Sequence, residues 1–209
     1  WPIAHYITPC DTARVEMWAD DLDAIHAEHR VQAAGIDAKY NTDAVHAYCK
    51  SRKYCKPTQG MDGWRPVIED EKKRRQRLRV KRKRGMPNEP IGTWAAKALI
   101  YSRLKIMQPG PGYVHFPRDP AFDDEYFAQV AAEKLVTKFK GTRPIQEWQQ
   151  TRPRNEALDC LVGNLAIMRL SGKNLDVPLS VQQAAKTKSQ SSKPAVNNDD
   201  GGWDFERRS

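Results

Sequence analysis

The chain holds four cysteines in 209 residues, Cys10, Cys49, Cys55 and Cys160, and none forms a C-x-x-C pair. This spacing excludes the common four-cysteine zinc folds. Four thiols are also too few to staple a domain of this size, so reduced cysteines are expected. No apolar run approaches the length of a membrane span, and the opening residues lack the charged, apolar and small-residue pattern of a leader. A cytosolic protein with no membrane partner is therefore expected. There is no internal repeat, and the phosphate-cradling pattern G-x-x-x-x-G-K-[ST] is missing throughout, so no ATP site is expected. The chain opens at Trp1 rather than at a methionine, and a processed protein or a piece of a longer one is expected.

What is abundant is positive charge. The net charge is +9, which points to an anionic partner, and nucleic acid is the commonest one for a soluble basic protein. The excess is concentrated in EKKRRQRLRVKRKRG, residues 71 to 85. Such a run reads as a solvated, flexible loop or hairpin, and a localisation signal has the same composition. Its phosphate-contact reading names Lys72, Lys73, Arg74, Arg75, Arg77, Arg79, Lys81, Arg82, Lys83 and Arg84, because each neutralised phosphate releases counterions.

Along the chain, helix and strand patterns alternate, which predicts an α/β layer fold. Residues 1 to 10 read as a strand stopped by Pro9, and residues 11 to 30 as a helix capped by Asp11 or Thr12. VQAAGID, 31 to 37, reads as a short strand, followed by a second helix entered near Asp43. KPTQGMDGWRP, 56 to 66, is turn-rich. Residues 91 to 106 read as a strand end leading into a helix. GPGYVHFP, 110 to 117, reads as a turn and short strand, and residues 123 to 139 as a helix capped at Asp123 or Asp124. A loop or hairpin then leads to a last core helix with apolar residues from Leu158 to Met168 at helical spacing. From Ser171 the periodicity ends, so 171 to 209 is expected to be a disordered low-complexity tail, with GGWDFERRS at 201 to 209 a docking peptide or an unused end.

Candidate chemistry lies in a few acids. Asp37 closes a strand, the place where α/β folds build their sites. Glu156 fits the positive end of the last helix, behind Asn155 as its cap. Asp159 sits beside Leu158 at the edge of that helix's apolar stripe, where a carboxylate must be paired, exposed or bound to a metal. His26 and His29 stand three apart in a helix, with no partners to complete a metal site. Carboxylates suit hard cations such as magnesium, and with a basic segment they make a metal-dependent nuclease the leading class.

The segments GTWAAKALIYSRLKI, PGPGYVHFP, DDEYFAQVAAEKLV, EW and RNEALDC, in this order, resemble the C-terminal nuclease half of the lambda-type tailed-phage terminase large subunit. The resemblance covers roughly residues 1 to 170. It implies a ribonuclease H-like mixed sheet flanked by helices, here lacking its first strands, with a two-metal Mg2+ or Mn2+ site. It also implies endonucleolytic cutting of concatemeric double-stranded DNA for packaging into a procapsid in the host cytoplasm, alongside a terminase small subunit and a portal protein. By motif, Asp37 in AAGID and Asp159 in NEALD match the family's metal-binding, catalytic aspartates, and Glu156 is a further metal candidate. Lys97 is a possible phosphate contact, or an exposed helix lysine. The family's first-strand aspartate has no counterpart here, and Trp94 and Ala98 stand where relatives often carry polar or acidic residues. The alternative expectation is a catalytically silent DNA-binding and portal-docking module, and a third is another ribonuclease H-like enzyme such as a resolvase.

Overall fold

A computed structural model of the chain describes residues 2–82 and 85–172. The expected tail from 173 onward, including the docking peptide, lies outside the described residues. After a short 3-10 turn at Val15–Met17 come α1 (Ala19–Glu28), β1 (Ala34–Asp37), α2 (Thr42–Ser51), β2 (Cys55–Met61), α3 (Glu71–Arg82), β3 (Glu89–Gly92) and α4 (Thr93–Leu104). Then follow α5 (Asp124–Val130), β4 (Glu133–Lys140), β5 (Arg143–Gln150) and α6 (Glu156–Leu170). The α/β reading is right at this level.

The sheet β1-β2-β3 is parallel throughout, with Ala34 opposite Cys55, Asp37 opposite Thr58, and Thr58 opposite Glu89. The described antiparallel pair, β4 with β5, is a separate ribbon rather than part of one mixed sheet. Because side chains alternate along a strand, the two faces of the sheet collect different helices. On one face Cys55 packs with Val45, Tyr48 and Cys49 of α2, backed by Trp18 and Leu22. On the other, Ile91 packs with Ala96 and Ile100 of α4 and with Leu158, Val162, Leu165 and Ala166 of α6. A third cluster, Phe122, Tyr126, Val130 and Ala157, seats α5 on the start of α6.

Gly35 sets how closely α6 approaches β1. A Cβ there would lie 2.5 Å from the Ile167 side chain, so a larger residue requires Ile167 or its helix to shift.

Several sequence expectations are corrected. Residues 2–10 form no strand, since Pro2 and Pro9 lack donors and no neighbour pairs with them; Tyr6 instead bonds His29 at 2.7 Å. The first helix begins only at Ala19, after the 3-10 turn. The turn-rich stretch after Tyr54 contains β2, whose Pro57 stands opposite Ile36 in the central strand, so tertiary pairing overrides a poor strand composition. The basic run is helical over Glu71–Arg82: lysine, arginine and glutamine are good helix formers, and the Asp70 carboxylate accepts from Lys72 N at 3.0 Å. Residues 113–117 carry no strand, and Phe116 joins an aromatic group with Phe122, Tyr126 and Phe127. The helix expected to reach 139 stops at Val130, because Glu133–Lys140 pairs along its whole length with Arg143–Gln150. Asp123 does cap that helix, accepting from Tyr126 N at 2.8 Å.

Candidate functional site

Asp37 and Asp159, 122 positions apart, lie at one corner of the sheet, near enough for the Asp37 charge to act on the Asp159 carboxyl. Asp37 is the last residue of β1 and shares a face with Gly35, the face covered by α6. Asp159 lies in the first turn of α6, next to the fully buried Leu158. Leu158 and Val162 hold that turn in the core, so Asp159 emerges at the core's edge rather than inside it.

Two further side chains complete the corner. Glu133, the first residue of β4, is buried, and its Oε1 accepts from Lys97 Nζ of α4 at 2.6 Å and from Asn155 Nδ2 at 2.9 Å. Lys97 Nζ also lies 4.0 Å from Asp159 Oδ1. Lys97 is therefore only 11% exposed and sits between two carboxylates; it is not a solvated helix lysine. Asn155 is at the N-cap position of α6 but spends its side chain on Glu133; the helix's Ala157 N–H donates to Gln129 Oε1 at 3.3 Å.

The electrostatics follow from this crowding. The Asp159 carboxyl is held above its usual pKa, first by partial burial and then by the nearby Glu133, Asp37 and Glu156 charges, with Lys97 opposing. Glu156 is exposed and pairs with Arg154 at 3.4 Å. The hairpin that carries Glu133 is fixed from below. Trp148 stacks on Tyr101 at 5.2 Å between ring centroids, its indole donates to Trp94 O at 3.2 Å, and the Tyr101 hydroxyl accepts from Glu133 N at 3.3 Å. Trp94 thus supports the corner through its backbone.

The basic helix splits by face. Arg74 and Arg77 turn inward to the buried Glu89 at 3.6 and 3.4 Å, and Arg77 also reaches Glu69 at 2.7 Å. Arg75 pairs with Glu71 along the helix, while Lys72, Lys73 and Arg79 are exposed. The side chains of Lys81 and Arg82 are not described, and Lys83 and Arg84 lie outside the described residues. His26 and His29 do not converge: His26 contacts Tyr54 at 3.1 Å and His29 contacts Tyr6.

With this arrangement in place, the comparisons with known proteins are decisive. The family described as terminase large subunit gpA, endonuclease domain, matches residues 3–179. The chain belongs to this family. It is 38% identical over 112 residues to the terminase large subunit of Escherichia phage lambda, covering 51% of this chain and 18% of that protein. It is 33% identical over 151 residues to the terminase large subunit of Enterobacteria phage P21, covering 66% of this chain and 22% of that protein. The chain thus spans about a fifth of the length of these curated relatives. No solved structure matches it.

Terminase endonuclease domains invite a test of the acid corner against a divalent metal. Asp37 and Asp159 offer hard carboxylate oxygens, the donor type magnesium and manganese prefer. Their mutual repulsion is what a bound cation would relieve. Yet among the described residues no group of three or more histidine, cysteine, aspartate or glutamate side chains could hold a metal ion. The donor chemistry fits, and the number of converging donors falls short. Sequence reasoning missed Glu133, because an acidic residue inside an expected amphipathic helix reads as a solvated one. The period-two pattern of KLVTKFK just after it was the available signal.

Proposed function

We propose that this chain is the metal-dependent DNA endonuclease domain of a terminase large subunit, cutting concatemeric double-stranded viral DNA in the host cytoplasm for packaging. What supports the reading is that the chain is a terminase endonuclease family member in which Asp37, at the end of β1, stands near enough to Asp159, 122 positions later, for its charge to act on that carboxyl. Asp37 and Asp159 would hold Mg2+ or Mn2+, with Glu156 on the same helix face one turn before Asp159. Bound divalent ions would supply a water of lowered pKa and charge stabilisation at the phosphodiester. Lys97 and Glu133 keep the two aspartates' surroundings fixed. Lys72, Lys73 and Arg79 would hold the duplex by its phosphates without reading bases. A ribonuclease H-like sheet, and a terminase small subunit and portal as partners of the complete protein, belong to the same reading.

The test is nicking of supercoiled plasmid with magnesium or manganese by the wild-type chain, Asp37→Asn and Asp159→Asn. Cleavage by the wild type that both substitutions abolish supports the reading. Cleavage that survives both places the chemistry elsewhere. A second reading, a catalytically silent DNA-binding and portal-docking module, is favoured by the shortfall of metal donors among the described residues. Wild-type DNA binding with no nicking would select it.

A further inference from the structure

One cleft on the described surface has walls that come from two segments far apart in sequence. It measures about 720 Å³ and is lined on one side by the end of α2 and the start of β2, and on the other by Gly85, Met86 and Pro87, which follow the basic helix. Cys49, Cys55 and Pro57 form its floor, and all three are buried. Lys50, Lys53 and Lys56 stand exposed around it.

The charge balance of this cleft is one-sided. Glu89 is its one lining carboxylate among the described residues, and Arg74 and Arg77 already neutralise it. Arg52 is likewise spent on Asp23, at 2.7 Å from its Nε, and His46 on Asn88 at 2.6 Å. The three lysine ammonium groups are therefore uncompensated by the cleft's own acids. The anchoring of Arg74 and Arg77 on Glu89 places α3, with its exposed Lys72, Lys73 and Arg79, beside the same cleft. Since Arg74 and Arg77 face Glu89, Lys72 and Arg79 stand on the opposite face of the helix, so α3 carries a second basic face near the cleft and not a wall of it.

Its position relative to the acid corner follows from the strand register. Cys55 pairs with Ala34, three residues before Asp37, which is roughly 10 Å along the strand. Cys55 faces α2, while Asp37 shares the opposite face with Gly35. Lys50 and Lys53 lie on the Cys55 side, whereas Lys56, opposite Gly35, lies on the Asp37 side, so the cleft is set apart from the acid corner by distance along the strand and not by the sheet.

We propose that the cleft rimmed by Lys50, Lys53 and Lys56 is a second holding surface for double-stranded DNA, distinct from the cutting site. The inference rests on the nuclease reading for the identity of the polyanion. The surface grips backbone phosphates and leaves the chemical step alone.

The experiment compares the full chain with the triple variant Lys50→Gln, Lys53→Gln and Lys56→Gln, using a short blunt duplex in EDTA across a salt series. Plasmid nicking at saturating DNA is measured in parallel with magnesium. The expected result is weaker duplex binding, with the log-log salt slope reduced by roughly 0.9 for each phosphate that is no longer neutralised. Thermal midpoint and saturated nicking rate stay unchanged. DNA bound to the wild type also protects the three lysines from acetylation. An unchanged slope and unprotected lysines, in a wild type that binds DNA, overturn this inference while leaving the nuclease reading intact. A saturated nicking rate that falls with the substitutions overturns it too, since the lysines would then act at the cut. A wild type that binds no duplex overturns both.

Discussion

The acid corner and the basic helix are both concentrations of charge, and the fold treats them in opposite ways. At the corner, Glu133 and Lys97 are nearly buried, and Asp159 emerges from a turn pinned by Leu158. On α3, Lys72, Lys73 and Arg79 stand in solvent, and the inward-facing Arg74 and Arg77 serve to dock the helix. Burial turns charge into fixed geometry, because an unpaired buried ion is too costly to move about. Exposure leaves charge as a field that attracts phosphate but orients nothing. A site that cuts needs the first, and a surface that holds needs only the second.

The sharpest way to break this contrast is Glu133→Ala, which leaves the nearly buried Lys97 with only the Asp159 carboxylate at 4.0 Å. The expected loss is about 3–5 kcal/mol in a denaturant titration. A loss under about 1 kcal/mol would mean that Lys97 escapes to water and that the corner is no more fixed than α3. Leu158→Ala, beneath Asp159, is expected to cost about 2–5 kcal/mol by the same measurement, since the side chain is fully buried. Gly35→Ala forces Ile167, or α6 with it, to shift and is expected to cost about 1–3 kcal/mol in the same denaturant titration.

Asp159→Asn probes the corner's electrostatics. The native Asp159 pKa is raised above its ordinary 3.8, so the native state keeps a proton that the unfolded chain has lost. Below 3.8 both states are protonated and the substitution changes little; as pH rises through the native value, ionised Asp159 destabilises the fold and asparagine relieves it. The expected outcome is a higher thermal midpoint for Asp159→Asn at neutral pH, without metal, and equal midpoints in acid. A lower midpoint at neutral pH would show that the Lys97 attraction outweighs burial and repulsion.

On the other side of the comparison, Lys72→Gln with Lys73→Gln is expected to change stability by under about 0.5 kcal/mol. The same pair lowers the salt slope of duplex binding by up to about 1.8. A stability loss above about 1 kcal/mol would mean that α3 is fixed by its exposed charges as well as by its arginines.

Legibility in the sequence followed the range of the interaction. The strand at Ala34–Asp37, α2, α4 and α6 were readable because each is a local apolar segment set off by polar or turn-forming residues. β2 was not, since Pro57 and Gly60 speak against a strand and only its neighbours Ile36 and Ile91 make it one. The helical basic run was hidden because like charge argues for a loop, while its docking partners Glu69 and Glu89 lie on either side of it. Asp37 and Asp159 were singled out by strand-end position and family resemblance. Glu133 was lost when β4 was read as helix.

Residue order was enough to make this a basic α/β protein of the terminase endonuclease family, with acids at a strand end and at a helix edge, because composition, periodicity and motif are carried residue by residue. It took the folded chain to make Lys97 a buried counter-ion to Glu133, to make anchors of Arg74 and Arg77, and to stand Lys50, Lys53 and Lys56 beside α3. Each of these depends on which residues distant in the chain become neighbours, and on how little water is left between them.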